Sequence, residues 1–397
     1  MSMRTDIVTD IVIVGGGAIG LAAAWRLALA GVGVIVVDGR SASPRATKAA
    51  AGMLAPSFER AERHAVAASS PALADLSLAS LRMWAGFAPE LEAASGQSID
   101  FRDDGILGVA TTDAEADALT RQAELMAAAG VGAELLDGRA ARALEPLLAE
   151  GVIAGLLARE EAQVDPVLLV EALETAVRRA GVQIVHAIAS VFENGPDGSG
   201  VRMRLASGGA ISADRAIVST GAGAFARRLS GNASIVTPVK GEALAFAPGA
   251  AVPRRVIRGR NAYICPRQDG RVVIGATERP GDASLETDDE RVDGLRAAAT
   301  RIVPAFERAN ESSRWAGLRP VAPDGAPIIG PAAGDPRVIY AIGHYRNGIL
   351  LAPATAEIIR ACATANSPEW PKPFLPDRFA TPARKLALPS APSSAAR

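Results

Sequence analysis

The segment Gly15-Gly16-Gly17-Ala18-Ile19-Gly20 constrains the fold of this chain more than any other feature. It follows the β-branched run Ile11-Val12-Ile13-Val14, which reads as a buried parallel strand. An Ala/Leu-rich stretch follows, reading as a helix to about Ala30 with Gly31 at its end. Glycines spaced G-x-G-x-x-G between a strand and a helix are the fingerprint of a dinucleotide-binding turn. Gly15 permits the tight turn, Gly17 lets a pyrophosphate approach the backbone, and Gly20 lets the helix pack closely on the sheet. The free N–H groups and positive dipole potential of the helix start suit phosphate oxygens. Val32 to Val37 reads as a second strand, which completes a βαβ unit, and Asp38 stands at its end to accept from ribose hydroxyls. A carboxylate there repels a 2′-phosphate, which argues against NADP. The motif alone leaves FAD and NAD open.

Further along, Thr112 or Asp113 caps an alanine-rich helix running to Gly130, and Asp165-Pro166 opens another that Gly181 closes. Val182 to Val185 and Ala216 to Ser219 are strand-like. Ala262 to Pro266 and Arg271 to Gly275 flank Gln268-Asp269-Gly270, a hairpin signal. Antiparallel strands between α/β segments imply a second sheet. A last helix is expected from near Gly348 to about Ala363. The expected fold is α/β: a doubly wound dinucleotide-binding domain with an inserted α+β substrate domain built on an antiparallel sheet. Segments 6–84, 150–224 and 320–366 are assigned to the first domain, and 85–149 and 225–319 to the second. Residues 367–397 are read as a proline-rich C-terminal extension, disordered from about 383.

The 397 residues exceed one ordinary core, and 49% hydrophobic with 21% charged residues is the balance of a soluble globular protein. A net charge of -1 gives no attraction to nucleic acid or an anionic membrane. Cys265 and Cys362 provide neither a disulfide framework nor metal-ligand spacing, and His64, His186 and His344 are scattered, so no metal is expected. No apolar run reaches the roughly 18 residues of a membrane span. Arg4, Asp6 and Asp10 do not make a signal peptide, so a reducing cytoplasm is the expected compartment. A homo-oligomer is left open.

Four later segments choose between the cofactors. They are Ala49-Ala50-Ala51-Gly52-Met53-Leu54-Ala55-Pro56, Tyr263-Ile264-Cys265-Pro266-Arg267, Gly317-Leu318-Arg319-Pro320, and Gly343-His344-Tyr345-Arg346-Asn347-Gly348-Ile349-Leu350-Leu351. In this order the chain resembles the D-amino-acid oxidase superfamily of flavoproteins, and within it the glycine oxidase branch associated with thiamine biosynthesis, from about Asp6 to Phe379. The resemblance implies FAD, held non-covalently, with a small amino acid and dioxygen as reactants. It implies that Ala18, Ile19, Asp38 and Gly39 lie around the pyrophosphate and adenosine ribose. Ala46, Thr47, Ala51, Gly52 and Met53 then pass beside the flavin, and Val191 meets adenine through its backbone. The stretch His344, Tyr345, Arg346, Asn347, Gly348, Ile349 and Leu350 faces the isoalloxazine edge. Tyr263, Arg319 and Arg346 contact substrate, with Met53 facing the same pocket. One departure is Asp38, where the family usually has Glu.

The residue chemistry fits these roles, though each has a plainer reading. Arg346 can hold a carboxylate bidentately, as lysine cannot, or be a surface arginine. The apolar run Ile349-Leu350-Leu351 after it implies a buried setting, in which an arginine needs a partner. Arg319 is a second anion contact or a structural ion-pair residue. Tyr263 hydrogen-bonds the substrate and limits its size, or fills core, and Met53 is pocket or packing. The expected reaction is oxidative deamination of glycine, sarcosine or D-alanine to an imine or keto acid, ammonia and hydrogen peroxide. The competing reading is a D-amino-acid or N-methyl-amino-acid dehydrogenase that delivers electrons to a quinone.

Overall fold

The computed structural model describes residues 7–39, 46–62, 70–195, 198–223, 235–249 and 251–379; the stretch expected to be disordered beyond about 383 lies outside these residues. The first strand, Ile7–Val14, pairs in parallel with Ala210–Val218 on one side and Val34–Val37 on the other. Flanked in this way, Val12 and Ile13 have no exposed surface, which is why the run is unbroken β-branched hydrophobics. Asp335–Ile342 and Gln183–Val185 extend the parallel set outward, and Ile328–Ala332 closes one edge antiparallel. Helices Ala18–Leu29, Pro166–Arg179 and Ala352–Thr364 bury Leu21, Trp25, Leu169, Leu173 and Ile359 in one core with Ile11 and Ile13. Two expected caps are present. Asp165 accepts from the N–H groups of Val167 and Leu168, and Thr112 accepts from Glu115 at the start of Asp113–Ala128.

A second sheet holds nine strands. Thr237–Phe246 is its spine, pairing antiparallel with Glu311–Val321 on one edge and Val272–Gly275 on the other. Tyr263–Pro266 pairs with Val272–Gly275 as the hairpin signal predicts. The α/β class with a separate, largely antiparallel sheet is therefore as expected.

At two places the sheets and core do not follow the expected division of the chain. Ala154–Ala158, assigned to the first domain from residue 150, pairs between Ile106–Ala110 and Ala133–Asp137 in the second sheet. The boundary drawn at 84–85 falls inside one helix, Pro71–Ser95, whose Trp84, Phe87 and Leu91 join the first core. The residues following the last helix also seat on the first unit: Phe374 is buried with Leu73, Ile329 and Leu351.

The helix Pro56–Glu62 follows the short strand Met53–Leu54, with its opening N–H groups turned to Glu161, whose Oε1 accepts from Ser57 (2.8 Å) and Phe58 (3.4 Å). Glu161 has no exposed surface, and burial pushes its carboxyl from 4.5 up to about 8. Between those pH values the folded state keeps a proton that the unfolded state has released, so stability falls as pH rises through this window and levels above it. Glu161→Gln keeps the accepting oxygen without the charge. We expect its melting temperature, relative to wild type, to climb from pH 4.5 to 8 in thermal scans. Parallel curves for the two proteins would show that Glu161 does not keep its proton in the folded state through this range.

Candidate active site

A cleft with about 1590 Å³ of empty space, open to solvent at its mouth, runs between the two sheets. At one end the glycine turn lines it. Gly15 has φ 118°, and a Cβ there would lie 2.5 Å from the Ser219 carbonyl. Gly20 does not line the cleft: a Cβ there would lie 2.0 Å from the Gly15 carbonyl oxygen, so its absence lets the helix pack this close to the turn. Asp38 faces the turn, its Oδ1 accepting from Gly16 N–H at 3.4 Å. Thr47 Oγ1 accepts from Ala18 N–H at 3.3 Å, and Ala18, Ile19 and Ala46 complete this end. These features fit a dinucleotide: a cradle stripped of Cβ atoms, a helix start, and an acid at the ribose position. Gly39 and Val191 are not among the lining residues; Val191 is half-exposed on the strand Ala189–Asn194 at the edge of the sheet.

Two backbone segments form the middle walls. Gly52 has φ 78°, and its Cβ would fall 1.9 Å from the Val164 carbonyl, so only glycine fits. Arg267, fully buried, donates to the carbonyls of Ala51 and Val164, and Trp315 Nε1 donates to Ala49 at 3.0 Å. The opposite wall is Gly343, His344, Tyr345, Arg346, Asn347, Gly348 and Ile349. His344 sits 3.1 Å from Thr355 Oγ1, and burial lowers its pKa to about 3, so the ring is neutral and no acid. The last helix begins at Ala352, after a 3₁₀ turn at Tyr345–Asn347, rather than near Gly348. The Leu350 carbonyl accepts instead from Ser80 Oγ and Trp84 Nε1, and Ser80 Oγ receives the Ala354 N–H. That inserted hydroxyl replaces a helical bond and keeps Leu350 in the core, away from the cleft.

The far end is built on the second sheet. Gly241, Ala243, Gly275 and Gly317 leave one face nearly bare, and two long side chains lie across it. A Cβ on Gly241 would be 2.3 Å from Arg319 Nη1, and one on Gly275 would be 2.4 Å from the Tyr263 hydroxyl. Arg319 Nη1 donates to the carbonyls of Thr277 (3.2 Å) and Lys240 (3.4 Å). Among the described residues no carboxylate forms an ion pair with it. Burial pushes the Tyr263 phenol up, against the pull of Arg319, so it stays a hydrogen-bond donor.

Arg346 also reaches the cleft, but it arrives paired. Its Nε lies 2.9 Å from Glu59 Oε2, its Nη2 donates to Glu59 Oε1 at 3.0 Å, and its Nη1 is 3.7 Å from Glu278 Oε2. Glu59 also meets Arg258 Nη1 at 3.3 Å, and the Tyr345 hydroxyl donates to Glu278 at 2.6 Å. Met53 Sδ packs 3.8 Å from Arg258 Nη1 and lines the cleft. Sequence reasoning missed Glu59, Arg258, Arg267 and Glu242. Glu242 is buried beneath Arg319, accepting from Thr277 Oγ1 (2.8 Å) and Asp288 N–H (2.7 Å). No local pattern marks Glu59, Arg258 or Glu242, and the motif that ends at Arg267 gives that arginine no role, since each finds its partners through strand pairing or loop closure.

Residues 10–361 match the family model described as FAD dependent oxidoreductase, and the chain belongs to that family. It is 32% identical over 379 residues to a glycine oxidase of Bacillus licheniformis, covering 93% of this chain and 97% of that protein. It is 34% identical to the bifunctional protein ThiO/ThiG of Synechocystis, covering 88% of this chain and 51% of that longer protein. The crystal structure of glycine oxidase from Geobacillus kaustophilus superimposes with a TM-score of 0.83 at 30% identity, over 93% of this chain and 98% of that one.

A side chain at position 52 must overcome both the left-handed backbone and the Val164 carbonyl. Gly52→Ala is therefore expected to cost at least about 2 kcal/mol of local strain. Flavin absorbance per mole of purified protein should fall well below that of wild type. Full flavin content in this variant would mean that the loop's path does not shape the cofactor site.

Proposed function

We propose that this protein catalyses FAD-dependent oxidative deamination of glycine and other small amines such as sarcosine and D-alanine, using dioxygen and releasing hydrogen peroxide. One observation carries the reading: Arg319 and Tyr263 lie side by side over a glycine-bared sheet face, and among the described residues the arginine's hydrogen-bond partners are carbonyls. A guanidinium held by neutral oxygens keeps its full charge for an incoming carboxylate. Arg319 would bind that carboxylate, and the Tyr263 hydroxyl would donate to the same group. FAD, when bound, supplies the two-electron oxidation of the amino acid and the return of those electrons to dioxygen.

The protein's remaining tasks are orientation and exclusion. Tyr263 and Met53 limit the room beside Cα. Glu59 and Glu278 are held by arginine and tyrosine, so neither is placed as a general base. A neutral substrate amine needs none. The relatives named glycine oxidase favour dioxygen over a quinone as acceptor. The imine product suits thiamine thiazole synthesis, the branch the sequence resembles. We place the reaction in the cytoplasm, in keeping with two buried free thiols; no helix among the described residues is long and apolar enough to cross a membrane. The two domains are taken to follow the two sheets.

Two outcomes are expected in aerated buffer without an added acceptor. Glycine and sarcosine should generate peroxide with kcat/KM at least about tenfold above D-valine and D-phenylalanine, since overpacking costs ~1–3 kcal/mol. Arg319→Lys should lower kcat/KM for glycine by roughly 30- to several-thousand-fold, from the ~2–5 kcal/mol of a lost charge-pair contact, while flavin content is kept. Arg346→Lys should cost less in kcat/KM and more in melting temperature. The reverse order would return the substrate carboxylate to Arg346, and preference for bulky D-amino acids would end the glycine assignment.

A further inference from the structure

Arg319 and Arg346 both line the cleft, and the Tyr263 phenol feels both charges. Their situations differ. Glu59 takes the Nε/Nη2 edge of Arg346 with both oxygens, and Glu278 stands by Nη1. Each carboxylate is anchored from behind, Glu59 by Arg258 and Glu278 by Tyr345. Within the quartet of Arg258, Glu59, Arg346 and Glu278, the formal charges cancel. Glu59 and Arg258 are buried, so little water screens the pairing.

We propose that Glu59 and Glu278 are specificity-determining residues that make this a one-carboxylate site, admitting amino acids with a single anionic group and rejecting those with a second. The inference rests on the reading that Arg319 holds the substrate carboxylate. Once that position is filled, a second carboxylate, as in iminodiacetate or D-aspartate, arrives at a guanidinium already engaged. To bind there it must displace Glu59, or sit between two negative charges. Specificity here comes from a repulsive element, beside the attractive one at Arg319. Pocket size alone does not predict this, because iminodiacetate is extended and fits where a branched side chain does not. Glu59→Gln keeps the shape and one accepting oxygen, removes the charge, and frees one edge of Arg346 for an anion. Glu278→Gln does the same at the more exposed Nη1 side.

The test uses flavin-loaded protein in wild-type, Glu59→Gln and Glu278→Gln forms. Affinities for acetate and malonate, which are not oxidised, are read from flavin difference spectra and from ligand-induced shifts in melting temperature. Rates with glycine and iminodiacetate are read as peroxide. Glu59→Gln should raise both the malonate-to-acetate affinity ratio and the iminodiacetate-to-glycine kcat/KM ratio at least about tenfold, as expected when a like-charge contact is removed. Glu278→Gln should move both ratios the same way by less. If Glu59→Gln does not fold, Glu278→Gln alone decides, since its site is partly exposed and its ring partner can still hydrogen-bond an amide. Ratios within about twofold of wild type, in whichever variants fold, overturn the proposal. A wild type that ignores glycine but whose variants gain malonate affinity would sink the substrate reading while sparing the charge filter. Normal glycine turnover with unmoved ratios would do the opposite.

Discussion

Arg267 has almost no exposed surface, and its guanidinium is spent on the carbonyls of Ala51 and Val164, with Asp165 at 3.6 Å. The residue begins the hairpin turn that follows the strand Tyr263–Pro266 of the second sheet, whereas Ala51 and Val164 lie on segments that lead into the first unit. Two main-chain carbonyls buried between sheets need donors, and one arginine reaching from the far sheet supplies both. With that tie in place, Gly52 is pressed on Val164, Met53 is set at the cleft wall, and the short helix after Pro56 starts against Glu161. Glu59 is then delivered to Arg258 and Arg346. This segment is one of the two that join the dinucleotide end of the cleft to its arginine end.

The arginine end depends on what is missing as much as on what is present. Gly241 and Gly275 leave room for the Arg319 guanidinium and the Tyr263 ring to lie flat on the sheet. Beneath them, Lys240 and Glu242 form a buried pair at 3.6 Å, and Glu242 fixes Thr277, whose carbonyl receives Arg319. A buried ion pair of this kind does little for stability by itself, but breaking it leaves an uncompensated charge. Its consequence here is positional: it holds the neutral acceptors that keep Arg319 in place without cancelling its charge.

The local parts of this architecture were legible in the sequence. The Asp165 and Thr112 caps and the 262–275 hairpin depend on neighbours within a few residues, and Asp38 meets the glycine turn within a single βαβ unit; each is present where the pattern placed it. What failed was non-local. Pro71–Ser95 went unread because Pro89 sits inside it and its apolar residues spread round the helix; its placement comes from Trp84 and Ser80 binding a carbonyl some 270 residues away. The last helix starts late for the same reason. Both cleft arginines were identified from their motifs, but not which of them is already paired, because Glu59 and Arg346 are 287 residues apart. An arginine's chemistry is set by its partners, and these were fixed by tertiary closure alone.

The two arginines divide the work of the cleft, and a crystal structure of the flavin-loaded protein with acetate would show which of them holds the carboxylate. The acetate carboxylate should lie on Arg319 and the Tyr263 hydroxyl, with Glu59 still on Arg346. Acetate bound to Arg346 with Glu59 swung away, and Arg319 still engaged only by the Thr277 and Lys240 carbonyls, would contradict it.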